Sequence, residues 1–428
     1  MARNRPRSEA HYLDSCRFMP GGVSSPLRSF KGMDMTPLIA QEGRGEKLYD
    51  EDGYEYIDFC HSYGALILGH SPKSVTERVS EQLHKGASFG LATALERHLA
   101  EKIQKHMPAM EQIRFTLTGT EAVMTAVRLA RAYTGKSVIV KFDGHFHGHS
   151  DSLLIQAGSG VTLLPSATSQ GIPEEFVRLT VSLPFNEIAT CRDFLRSRDD
   201  IAAVILEPIA GNMGVVPADP QFLAMLREET ANKGIVLIFD EVITGFRVGL
   251  GGAQGKYGII PDLTCLGKVI GGGLPVSAFG GKKEIMQMIA PLGSVYHSGT
   301  FAGNPLAVAA GLQTLCLLEQ PQFFEELEEK TRRFLEPIRV LIAEKQLPIA
   351  IQSVGSMFSL FFGVTEVKGR EDLQKVDLEK FKSFFRFLFD RGVYISPSTH
   401  EAHFISSAHT EQSLKKAQDC ILAFCRSM

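Results

Sequence analysis

The chain has 428 residues, with 45 lysines and arginines against 48 aspartates and glutamates, so its formal charge is −3 with 13 histidines counted neutral. That balance excludes a general nucleic-acid binder, whose charge would be basic, and a hydrophobic content of 44% excludes a disordered chain. The 7 cysteines are scattered, odd in number and lack a C-x-x-C pair, so neither a disulfide framework nor a zinc site is expected, and a reducing compartment fits.

At roughly 150 residues per domain the length suggests two or three domains, or one large α/β domain with an appendage. The N-terminal MARNRPRSEAHYLD is basic but has no apolar stretch behind it, unlike a secretory signal. The longest apolar runs are of strand length, far below the ~20 residues that cross a bilayer. A cytoplasmic protein without membrane contact is expected.

Residues 44–59 read as a hairpin, two β-prone runs around Asp52-Gly53. Asp50 and Asp52 have the spacing of a calcium loop, but the twelfth position is His61 rather than glutamate. From about residue 110 short apolar runs alternate with amphipathic or alanine-rich stretches. Strands are predicted at 137–142, 201–206, 235–239 and 262–266, and helices at 120–133 and 219–232. Runs apolar on both faces suit parallel strands covered by helices, so the pattern predicts a doubly wound α/β domain. After about 315 the texture changes to helices at 321–345, 376–390 and 411–426, with strands at 356–363, 393–395 and 403–406, a smaller α+β domain. The expected division is an N-terminal segment 1–62 packing with the small domain, a large domain 63–311 and a small domain 312–428.

Polar groups gather at the carboxyl ends of the predicted strands, where ligands of open α/β sheets bind. Glu207 follows IAAVIL, Asp240 follows IVLIF, Lys268 follows DLTCL and GHFHGH follows SVIVKF. Any one of these reads better as a solvated loop residue than as a site residue; the set together points to a site. Thr118-Gly119-Thr120 opens a predicted helix, where hydroxyls and exposed N–H groups bind anions, although threonine is also an ordinary helix cap. Lys268 stands shortly before three glycines, where backbone can approach a ligand, and a lysine beside a buried cofactor can attach it covalently. His145, His147 and His149 would form a row on an extended strand rather than a cage, so no metal is expected there.

The segments TGTEA (118–122), GHFHGHSD (144–151), LEPIAGNMG (206–214), IFDEVITGFR (238–247), PDLTCLGKVIGGGLPVSAFGG (261–281) and HSGTFAGNP (297–305) resemble the class III aminotransferases of PLP fold type I. PGGVSSP-x-R (20–28), AGSG (157–160) and GGAQGKYG (251–258) resemble their glutamate-1-semialdehyde aminomutase branch. The resemblance spans nearly the whole chain, and the 28 positions between Asp240 and Lys268 are its most specific mark. It implies a large, mostly parallel sheet domain with a smaller α+β domain, and pyridoxal 5′-phosphate, with its pyridoxamine form, as cofactor.

The same resemblance assigns roles. Lys268 would carry the cofactor and then move protons as base and acid. Asp240 would keep the ring nitrogen protonated, and Glu207 would support that network. Val242 and Phe146 would cover the two ring faces. Thr118, Gly119 and Thr120 would face the phosphate, and Asn212 would lie near the phenolic oxygen. Thr300 would reach the neighbouring subunit's phosphate, which implies a homodimer with shared sites. Arg28 would grip the substrate carboxylate in its planar fork, with Ser25 beside it, Tyr63 and Glu401 near the substrate, and Ser159 in a loop, 152–173, that closes over the site. The implied reaction converts glutamate-1-semialdehyde to 5-aminolevulinate through 4,5-diaminovalerate, feeding tetrapyrrole synthesis, with contact to an upstream tRNA-dependent reductase left open. The chain departs from the family where Thr118 replaces serine, Phe146 tyrosine, Tyr63 tryptophan, Gln156 lysine and His297 glutamine. An amino-acid racemase or ω-transaminase on the same fold stays open as an alternative.

Overall fold

The computed structural model describes residues 3–155 and 169–428; Gln156, Gly158, Ser159 and Gly160 lie outside them, with most of the expected closing loop. Near the N-terminus β1 (Ala40–Arg44), β2 (Lys47–Asp50) and β3 (Glu55–Asp58) form an antiparallel meander. The predicted hairpin is present. Asp50 serves its turn: Oδ1 accepts the N–H groups of Asp52 and Tyr54 at 3.1 and 2.8 Å, and Oδ2 the Tyr56 hydroxyl at 2.9 Å. A short strand from the far end of the chain, Val393–Tyr394, adds to β3 in parallel.

The large sheet is built from β4 (Gln112–Thr116), β5 (Val138–Phe142), β6 (Thr180–Leu183), β7 (Ile201–Leu206), β10 (Val236–Glu241), β11 (Leu263–Leu266) and β12 (Ser277–Gly281), with a small antiparallel pair, β8 (Ile209–Ala210) and β9 (Val216–Pro217), beside it. The order across the sheet is β4-β12-β11-β10-β7-β5-β6. All neighbours are parallel except at β12, which is antiparallel to both β11 and β4. The four predicted strands are all here. Their uninterrupted apolar character has a simple cause: both faces are covered. Leu237 and Phe239 of β10 join one buried cluster with Phe222 and Leu223 of the helix Pro220–Lys233, while Val236 and Ile238 join another with Ala122 and Ala126 of the helix Gly119–Thr134. Strands β4, β6 and β12 escape prediction because QIRFT, TVSL and SAFGG are short and mixed.

The C-terminal part packs β13 (Ile349–Val354), β14 (Met357–Phe362) and β16 (His403–Phe404) against the helices Phe323–Glu344, Leu378–Asp390 and Glu411–Arg426, the Val393–Tyr394 strand being β15. One apolar cluster runs through Phe30, Tyr56, Leu99, Leu266, Ile338 and Phe424, joining all three regions. Among the described residues no helix is long and apolar enough to cross a membrane.

Candidate active site

Parallel strands deliver their carboxyl ends to one edge of the sheet, and there the chain makes a cavity of about 430 Å³ lined by Thr118, Gly119, Thr120, Phe146, His147, Glu207, Asn212, Asp240, Val242 and Lys268 among others. These ten residues, all singled out from the sequence, therefore meet in one place.

Asp240 is the penultimate residue of β10 and is 5% exposed. Its Oδ2 lies 2.7 Å from His147 Nδ1 and its Oδ1 accepts the Val242 N–H at 3.1 Å. A carboxylate can only accept, so the His147 proton sits on Nδ1. Glu207, just past β7, accepts from Phe146 N at 2.9 Å, Gly211 N at 3.0 Å and Asn212 Nδ2 at 2.9 Å. Its own N–H donates to His145 Nδ1 at 3.0 Å. Burial, and after it the Asp240 charge, pushes the Glu207 carboxyl up to about 8. The histidines are thus not a row on a strand. β5 ends at Phe142, and the loop after it buries His145 and His147 with their rings 5.9 Å apart, His147 bonded to the Asp240 carboxylate and His145 to the Glu207 backbone N–H. The sequence reading weighed these residues as metal ligands, set that aside and missed their use as orienting groups.

Lys268 opens a short 3-10 turn, Lys268–Gly271, after β11, with a left-handed φ of 47°. Holding a non-glycine residue there costs free energy and occurs where the surroundings enforce it. Burial lowers the pKa of its amine, opposed by the Glu401, Asp240 and Glu207 carboxylates.

The helix Gly119–Thr134 points its start into the same cavity. Thr118 caps it, its side chain accepting from Glu121 N at 3.2 Å, and the remaining first-turn N–H groups have no partner within the helix. The approach is tight. A Cβ on Gly119 would lie 3.0 Å from both Val242 methyls, and one on Gly148, at φ +79°, would lie 2.8 Å from the Thr120 Cα. These glycines keep a small polar cradle open at an anion-binding helix end.

Ser25, Arg28, Tyr63 and Glu401 are not among the residues lining this cavity. Glu401 is close enough for its charge to act on Lys268, and this outer group, called the rim below, is assembled differently. Tyr63 sits in a left-handed turn in which Ser62 and Tyr63 have φ of 54° and 56°. Burial raises its hydroxyl pKa, the Cys60 thiol and Glu401 carboxylate raise it further, and Arg28 opposes them. Glu401, 6% exposed, therefore acts on both Tyr63 and Lys268. Arg28 is exposed on the 3-10 turn Pro26–Ser29, for which Ser25 is the flanking residue. Arg247, which closes the IFDEVITGFR segment but was given no role from the sequence, is fully buried and donates to Gly64 O at 2.6 Å and Ser356 Oγ at 3.2 Å. It ties the turn carrying Tyr63 to the turn between β13 and β14, and burial pushes its guanidinium down to about 9. Thr300 is exposed and does not line the cavity of its own chain.

A family model described as aminotransferase class-III matches residues 29–421. The chain belongs to the class III aminotransferases. Among the relatives of this class III aminotransferase, the glutamate-1-semialdehyde 2,1-aminomutase of Protochlamydia amoebophila (strain UWE25) is 52% identical over 425 residues, 98% of each chain. The enzyme of that name from Persephonella marina is 48% identical, over 97% of this chain and 98% of that one. An ω-transaminase structure from Sphaerobacter thermophilus superposes with a TM-score of 0.90 at 33% identity, covering 98% of this chain and 97% of that one. A glutamate-1-semialdehyde aminomutase structure from Pseudomonas aeruginosa PAO1 does so at 0.87 and 24% identity, covering 99% and 94%, a likeness of fold.

Proposed function

We propose that the chain is a pyridoxal 5′-phosphate enzyme that converts glutamate-1-semialdehyde to 5-aminolevulinate by internal amino exchange, in tetrapyrrole synthesis. The observation that carries this reading is 52% identity over 98% of the chain to an aminomutase. The cavity suits the cofactor: an amine for its aldehyde, a carboxylate for its ring nitrogen, a glycine-lined helix start for its phosphate, and apolar side chains at Phe146 and Val242 for its ring.

When bound, the cofactor supplies an electron sink for the substrate carbon. Lys268, its amine made less basic by burial, takes and returns the proton at that carbon. Asp240 is held in register by His147 and the Val242 N–H. Glu207 fixes Asn212 and the Phe146 backbone. Arg28, with Ser25 beside it, binds the substrate carboxylate. Tyr63 and Glu401 shape the pocket around it.

In this reading the enzyme is a cytoplasmic homodimer in which Thr300 completes the partner's phosphate site. The exposed apolar side chains near it, Leu292, Tyr296 and Phe301 at 74%, 70% and 52%, support a covered face, and seven free cysteines suit a reducing compartment. Sedimentation would give twice the chain mass.

The deciding assay supplies purified holoenzyme with glutamate-1-semialdehyde alone. 5-Aminolevulinate forms with no added amino donor or acceptor. No product would sink the reading. Transfer that requires an external 2-oxoacid would install the ω-transaminase reading, which the Sphaerobacter likeness favours, and D-amino acid formation would install a racemase.

A further inference from the structure

A second group of chemistry-bearing side chains lies outside the cavity, under the turn that leaves β3. Asp58 ends that strand and is 1% exposed; its Oδ1 accepts the N–H groups of Cys60 and His61 at 2.8 and 3.0 Å. Its Oδ2 meets His70 Nε2 at 2.8 Å and lies 3.9 Å from His61 Nδ1. His61 is fully buried, and neither of its ring nitrogens has a hydrogen-bond partner. Its backbone is also left-handed, with φ of 43°. Buried polar atoms are normally satisfied, and a strained non-glycine residue persists where something enforces it. A hydrogen-bonded Asp58–His70 pair accounts for two members of the group and leaves both His61 nitrogens with nothing.

One carboxylate oxygen and one nitrogen from each histidine all lie within 4.8 Å of one another. Tetrahedral coordination with bonds of ~2.0 Å would draw them to roughly 3.3 Å, a contraction within the reach of side-chain rotation. Two imidazoles and a carboxylate are the donor set of zinc and its first-row neighbours. His409 packs edge-on to His61, with centroids 5.0 Å apart, but its Nδ1 accepts from Ser406 N. Its proton is therefore on Nε2, which makes it a donor rather than a fourth ligand.

We propose that Asp58, His61 and His70 bind one zinc-like divalent cation as a structural site beneath the turn that carries Tyr63. None of the three lines the main cavity, so the ion stiffens the turn and takes no part in the chemistry. This departs from the metal-free expectation drawn from the sequence, which considered only His145, His147 and His149. It stands whether or not the proposed reaction does.

The test uses chelator-treated holoenzyme titrated with Zn²⁺ or Co²⁺ alone. One equivalent binds per chain, the thermal midpoint rises by several degrees, and cobalt gives the intense visible band of a four-coordinate site. His61→Phe, which fills the same space, abolishes the equivalent and the shift. Should that variant fail to fold, the X-ray absorption fine structure of the zinc-loaded wild type decides: two imidazoles with an oxygen support the site, and any other shell overturns it. Failure of the wild type to bind, or unchanged stoichiometry in a folded His61→Phe, also overturns it.

Discussion

The two sides of the cavity are built by opposite means. The sheet side takes Glu207, Asp240 and Lys268 from the ends of neighbouring strands β7, β10 and β11, so the spacing of one parallel sheet fixes their relation. The rim takes Arg28 and Tyr63 from two turns near the N-terminus and Glu401 from one more than three hundred residues further on, with long-range contacts such as Arg247 to Gly64 holding the turn of Tyr63. A site residue on a strand end is placed by backbone hydrogen bonds; one on a turn is only as fixed as the contacts that hold the turn.

Breaking the sheet side should have the largest effects. Lys268→Ala removes the one amine among the cavity's described lining residues and should cost at least about a thousandfold in kcat, the scale of losing a nucleophile and its proton transfer. The mutant should bind the cofactor without a borohydride-trapped adduct; an adduct still found there would relocate the attachment. Gly148→Ala comes next. Its Cβ would press on the Thr120 backbone at a φ that alanine resists, so cofactor affinity should fall at least tenfold, read by fluorescence titration.

The rim should respond more mildly and in a different parameter. Arg28→Lys keeps the charge but loses the planar fork, so KM should rise about tenfold with kcat little changed, the pattern of lost uniform binding. Equal losses in both would move Arg28 into the chemical step.

The smallest effect is on stability and separates the regions by pH. Burial lowers His403, on β16 near the rim, to about 3 and His400 to about 4. An unfolded histidine titrates near 6.5, so between 6.5 and 4 the unfolded chain takes up protons that the folded chain refuses. Their contribution is full above pH 6.5 and declines as pH falls below it. Thermal midpoints should drop from pH 6.5 downward, and His403→Gln should flatten that slope.

Strand periodicity and strand-end chemistry made the parallel sheet, the anion-binding helix start and the trio of Glu207, Asp240 and Lys268 legible. Each depends on a few consecutive residues whose apolar run says strand and whose next residue says chemistry. The orienting role of His145 and His147 was not legible, because it depends on where the β5 loop crosses the ends of β7 and β10. Nor was Arg247, whose partners Gly64 and Ser356 lie far away in sequence.

The sequence by itself determined the fold class and the reactive groups along the sheet edge, because backbone pairing and burial act through local pattern. Tertiary structure alone decided how the rim closes around them and which buried histidines gather at Asp58. Left-handed turns and long-range side-chain contacts have no period, and their partners are chosen only when the chain packs.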